Sequence, residues 1–101
     1  MQLTFDNKKI VCDTQLALKL VSNYGEYMQL IHQLFNVTRI YSGRTYDEYK
    51  LKAINPDELK ILSKDELNRL AEILEKSFDG AWGCDVKEEA SGIITILSFK
   101  D

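Results

Sequence analysis

The run Ile93-Ile94-Thr95-Ile96-Leu97-Ser98-Phe99 constrains this chain more than any other segment, because a β-branched stretch with almost no polar alternation reads as a central strand rather than an edge. A central strand needs hydrogen-bonding neighbours on both sides, so a sheet is expected, with both faces of this strand covered. The segment before it supports that reading. Trp82, Cys84 and Val86 alternate with Gly83, Asp85 and Lys87, and the Glu88–Gly92 stretch reads as a turn, which together predict a C-terminal hairpin. Cys84 is expected on the inward face of its strand with Trp82 and Val86.

At the other end, Leu3 and Phe5 alternate with polar residues, and Asp6-Asn7 are two types that tolerate left-handed backbone. Strands are predicted at about 2 to 5 and 8 to 12. Between them and the C-terminal half lies the strongest helical periodicity. Ala17, Leu20, Val21, Tyr24, Tyr27, Met28, Ile31, Leu34 and Phe35 recur at three- and four-residue spacing, with Asp13 as N-cap and Asn36 as terminator. One long helix is expected, with Gly25 in its middle marking either a closely packed neighbour or a bend.

Asn55-Pro56-Asp57-Glu58 places a capping residue, a proline at the first helical position and early carboxylates, so a short helix begins there. Ser63-Lys64-Asp65-Glu66 repeats the capping-box logic and starts a second helix that Gly80 stops. In it Leu67, Leu70, Ala71, Leu74 and Phe78 form the expected buried stripe, while Asp65 with Arg69 and Glu72 with Lys76 are spaced for ion pairs. Residues 37 to 54 are ambiguous. Val37 to Tyr41 looks extended, and Tyr49, Leu51 and Ala53 alternate with lysines, yet Thr45-x-x-Glu48 is also a capping pattern; a strand is preferred. The fold class that follows is α+β: an antiparallel or mixed sheet of four to five strands with two main helices on one face, in a single domain spanning residues 1–101.

Function is harder to read. A single histidine and two cysteines 72 positions apart leave few ingredients for catalysis, and no glycine cluster or metal-ligand spacing occurs. His32 is expected at a surface or boundary, and a Cys84–His32 nucleophile ranks third among the readings. No catalytic residue, metal or cofactor is predicted. The first six residues meet charge before any useful apolar run, and no apolar stretch has the length of a membrane span, so a cytoplasmic chain with free thiols and no membrane partner is expected.

Charge is uneven. Residues 1–56 hold seven basic against five acidic side chains, whereas residues 57–89 hold ten acidic against five basic. An acidic helix face disfavours direct nucleic-acid contact and favours a basic protein surface. The expected partner-binding residues are Glu66, Arg69, Glu72 and Glu75 on that helix, with Tyr41, Arg44, Tyr46 and Tyr49 supplying anchors of the types enriched at interface hot spots. The reading is a small acidic non-enzymatic protein, a monomer or homodimer, that binds and inhibits or regulates a macromolecular partner such as a nucleic-acid-binding effector. Inhibitors of phage counter-defence, anti-CRISPR or toxin-immunity type fit it. The alternative is a small-ligand domain holding a nucleotide or anion on the Tyr41–Tyr46 loop, with Arg39 nearby.

Overall fold

The computed structural model describes residues 1–89 and 92–100. Its first element is a hairpin of β1 (Gln2–Phe5) and β2 (Lys8–Val11). Asp6 and Asn7 join them with φ of 49° and 63°, the left-handed pair that a two-residue hairpin turn demands. Leu3 and Phe5 point into the core, and the free edge of β1 is closed by a side chain: Thr4 N donates to Gln29 Oε1 and Gln29 Nε2 donates to Thr4 O, both at 2.8 Å.

Two helices follow where the periodicity predicts one. α1 (Thr14–Tyr24) is capped by Asp13, whose carboxylate accepts from Leu16 N at 2.8 Å, and it ends at Gly25 with φ 71°. α2 (Tyr27–Leu34) then begins. A Cβ on Gly25 would meet nothing within 4 Å, so the glycine is needed for its left-handed backbone and not for a close neighbour. Asn36 is not the terminator either; α2 hands over directly to a strand at the buried Phe35.

The main sheet is antiparallel with order β3-β4-β6-β5. β3 (Phe35–Ser42) pairs with β4 (Tyr46–Ala53), with a bulge between Arg39 and Tyr41. The strand reading of residues 46–53 holds, and the Thr45 capping pattern is unused. β6 (Ile93–Phe99) lies between β4 and β5 (Cys84–Glu88), as its composition requires. Its two faces differ from expectation. Ile96 is fully buried on the helix side, but Ile93, Thr95, Leu97 and Phe99 are only half-buried, on a face that carries the exposed Thr38, Lys50, Lys52, Asp85 and Lys87. One face of β6 is covered, not both.

The helices cover that one face. α3 (Pro56–Lys60) starts at the Asn55 cap, and α4 (Lys64–Phe78) starts at a complete capping box in which Ser63 Oγ accepts from Glu66 N and Glu66 Oε1 accepts from Ser63 N. α2 meets the sheet at β3, and α4 meets it at β5 and β6. The core between them contains Leu18, Val21, Leu30, Ile31, Phe35, Leu51, Leu70, Ile73, Leu74 and Ile96. α4 is rotated from the expected stripe: Ile73 is buried, while Leu67 is 44% exposed and Ala71 is exposed. A 3.6-residue period leaves either set of neighbours available to the core, and packing against α1 and α2 selects the Ile73 side. No helix of the described residues is long and apolar enough to cross a membrane.

Candidate partner-binding seam along α4 and β5

Because α4 turns Leu67 and Ala71 away from the core, an apolar groove of about 470 Å³ opens between α4 and the β5–β6 hairpin. It is lined by the apolar Phe35, Leu59, Leu67, Leu70, Ala71, Leu74, Val86 and Ile94 and by the charged Lys60, Glu75 and Glu88. The seam continues past Glu75, whose carbonyl oxygen accepts from Cys84 Sγ at 3.4 Å, to the loop that joins α4 to β5.

That loop is held by backbone. Gly80 N donates to Gly83 O and Gly83 N to Gly80 O, both at 3.1 Å, while Trp82 N donates to Phe99 O at 3.1 Å and Phe99 N to Gly83 O at 3.0 Å. A Cβ on Gly80 would overlap the Phe99 carbonyl, so only glycine lets the loop sit so close to β6. The consequence is an anchored loop whose tip holds Trp82 with 72% of its surface exposed. The expectation that Trp82 faces inward beside Cys84 and Val86 is therefore corrected: it precedes β5 and points to solvent, and the glycines on either side of Ala81-Trp82 were the signal for a loop. Sequence reasoning left it out of the binding residues.

The electrostatics of the seam are negative. Glu72, Glu75 and Asp79 are exposed, and the ion pairs expected along α4 do not form within 4 Å; among the described residues only Lys60–Asp57 (3.7 Å) and Lys100–Asp47 (3.0 Å) do. Flexible exposed pairs gain about 0–1 kcal/mol and easily stay apart. Glu75 and Asp79 also lie at the C-terminal end of α4, where the helix dipole is itself negative and disfavours carboxylates by about 0.3–1 kcal/mol each. Burial, followed by the charges of Asp79, Glu75 and Asp85, pushes the Cys84 thiol above its ordinary pKa. Cys84 is thus held as a protonated thiol, a poor nucleophile at neutral pH. His32 is exposed on α2, and among the described residues no group of three His, Cys, Asp or Glu is arranged to hold a metal ion.

The residues singled out from sequence fall into four places. Glu75 lies on the seam, whereas Glu72 is exposed on α4 outside the lining of the groove. Glu66 and Arg69 lie towards the N-terminal end of α4 beside Gln15 and Lys19 of α1, about 13 Å from Glu75 along the helix for Glu66. Glu66 is occupied there by its cap and by Gln15 Nε2 at 3.2 Å, and the Ser63 backbone bond is the first cause that holds its carboxyl below the usual range. Tyr41, Arg44 and Tyr46 form the third group. Tyr49 faces the helices, its ring 4.9 Å from that of Phe78, so Tyr46 and Tyr41 project from the opposite face of the sheet.

The Tyr41–Tyr46 loop uses its polar groups internally. Lys100 Nζ donates to Gly43 O at 3.1 Å and lies 3.0 Å from Asp47 Oδ1, and the Tyr41 ring lies over Gly43, 2.6 Å from where a Cβ would be. Lys100 is the main reason the enclosed Asp47 carboxyl sits below its ordinary pKa, with burial opposing and Ser42 and Arg39 assisting. The Tyr41 and Tyr46 rings are 4.9 Å apart and Tyr46 and Phe99 6.5 Å, so these rings lean on one another. Arg44 remains exposed at the tip. Comparison of the chain with protein-family models, with curated proteins and with solved structures returns no match.

Proposed function

We propose that the protein is a non-enzymatic binder that inhibits or regulates a macromolecular partner by covering a basic surface, using the seam between α4 and β5. The observation that carries this reading is Trp82, 72% exposed on a loop fixed by four backbone hydrogen bonds and next to carboxylates that no ion pair neutralises. A large aromatic side chain on a fixed backbone loses little conformational freedom on binding, and tryptophan is among the strongest hot-spot residues. The groove takes apolar side chains, while Glu75 on its rim, Asp79 near the loop and the exposed Glu72 further round α4 receive lysine or arginine. A cationic partner also relieves the opposition between those carboxylates and the α4 dipole. A surface that normally holds nucleic acid has the required positive charge, and its occlusion is the mechanism.

The loop from Tyr41 to Tyr46 gives less support to a nucleotide or anion site, since Lys100 already serves Asp47 and Gly43 and the Tyr41 ring closes over the glycine. The test is affinity capture from the native host, followed by titration of the recovered partner. Trp82→Ala is expected to weaken binding by about 30-fold or more, the range of a hot spot, and Glu72→Lys with Glu75→Lys by at least about tenfold, with both effects shrinking at high salt. Affinity unchanged by both sets of substitutions overturns the assignment to this seam.

A further inference from the structure

The bare face of the sheet is laid out in rows that cross the strands, and neighbouring rows carry opposite charge. The pairing register sets Glu48, Leu97 and Asp85 side by side in one row and Lys50, Thr95 and Lys87 in the next. Tyr46 with Phe99 flanks the acidic row on its far side, and Lys52 with Ile93 flanks the basic row on its own far side. Alternate residues on a strand are about 6.7 Å apart, a span that long side chains can bridge. Among the described residues, none of Glu48, Asp85, Lys50 and Lys87 has an opposite charge within 4 Å. Glu89 adds one carboxylate at the β5 rim, where its Oε1 accepts from Thr95 Oγ1 at 3.2 Å.

We propose that a second copy of this chain docks face to face on this sheet, about a twofold axis that runs across the strands between the Leu97 row and the Thr95 row. Rotation about that axis reverses strand direction and lays each acidic row on the other copy's basic row. Glu48 then meets the second copy's Lys50 and Asp85 its Lys87, and symmetry repeats both pairs. The outer rows match as well: the Tyr46 ring lies over the second copy's Lys52, a cation–π arrangement, and Phe99 lies over its Ile93. Leu97 from each copy fills the centre. An axis along the strands would place acid on acid and base on base, so the charge pattern selects one of the two face-to-face registers.

Sheets that pack this way lie about 10 Å apart with strands within about 30° of alignment. Four strands and some seven residues give a projected footprint of roughly 450 Å² per copy, a size typical of reversible association that depends on concentration and salt. The surface is separate from the seam, so a partner there and a second copy here are independent.

Sedimentation equilibrium on the intact chain tests the proposal. The wild type is expected to form a dimer whose dissociation constant rises with salt. Glu48→Lys with Asp85→Lys makes both central rows basic, and Lys50→Glu with Lys87→Glu makes both acidic. Each doubly substituted chain is expected to dimerise at least about tenfold more weakly by itself, and an equimolar mixture of the two to recover association as a heterodimer. Misfolding of either chain does not produce that rescue. A wild type that stays a single chain up to millimolar concentration overturns the proposal, and so does a dimer that both sets of reversals leave intact or a mixture that fails to associate.

Discussion

The two faces of the four-stranded sheet are made from alternate residues of the same strands, yet they follow different rules. On the helix side, Leu51 and Ile96 are fully buried and Tyr49 packs against Phe78. On the bare side, the same two central strands present Tyr46, Glu48, Lys50 and Lys52 beside Phe99, Leu97, Thr95 and Ile93. The first face contributes stability by removing apolar area from water. The second is free of that task, and it carries an ordered charge pattern. One covered face is enough to hold the sheet, which leaves the other available for contact.

The sharpest test of this contrast uses neighbours in sequence. Ile96→Ala leaves a cavity among fully buried groups and is expected to cost about 2–5 kcal/mol in urea unfolding. Leu97→Ala, one residue on and half-buried on the other face, is expected to cost less than about 1.5 kcal/mol. Equal losses would mean that both faces share the core. A second substitution acts where the faces meet at the end of β6. Gly80→Ala drives a methyl group into the Phe99 carbonyl and is expected to cost about 1–3 kcal/mol, as overpacking does. Since Trp82 is the only tryptophan, its fluorescence reports the loop directly, and lower anisotropy in the variant is the expected sign that the anchor has come loose. An anisotropy unchanged from wild type would show that the backbone bonds to Phe99 are not what fixes it.

Much of the covered side was legible in sequence because its signals are local. Asp6-Asn7 specified the hairpin turn, Asn55-Pro56 and Ser63-Glu66 specified two helix starts, and the β-branched run specified the central strand. The break at Gly25 was hidden because α2 resumes with Leu30, Ile31 and Leu34 facing the same core, so the apolar rhythm bridges two separate helices. The rotation of α4 was hidden because Leu67 and Ala71 satisfy the helical period as well as Ile73 does, and only tertiary packing decides between them. The surfaces proposed for binding were least legible. Trp82 imitates a strand residue by its spacing from Cys84, and the rows of the bare face exist only once β4 pairs with β6, nearly fifty positions away.

The exception to the contrast is Asp47, a carboxylate on the helix side of β4, and it yields the smallest effect of the series. Its neighbour in the ladder is Ser98, and its charge is balanced by Lys100, which reaches back from beyond the end of β6. That arrangement lowers the folded-state pKa of Asp47 below the ordinary carboxylate value, with the Lys100 hydrogen bond as the largest cause. A group with a depressed folded pKa stabilises the fold at pH values above its unfolded pKa, and the stabilisation is lost as pH falls through the unfolded value towards the folded one. Glu66, lowered first by its bond from the Ser63 backbone, acts in the same direction at the start of α4. The melting temperature is therefore expected to hold from neutral pH to about pH 5 and to fall below it. Asp47→Asn keeps the side-chain shape but removes this titration, so its melting temperature is expected to be lower than wild type at pH 7 and to decline less steeply between about pH 5 and pH 3. Parallel acid profiles for wild type and variant would show that Lys100 leaves the ionisation of Asp47 unaffected by folding, and would place the pH sensitivity of the sheet end with Glu66 and the other carboxylates instead.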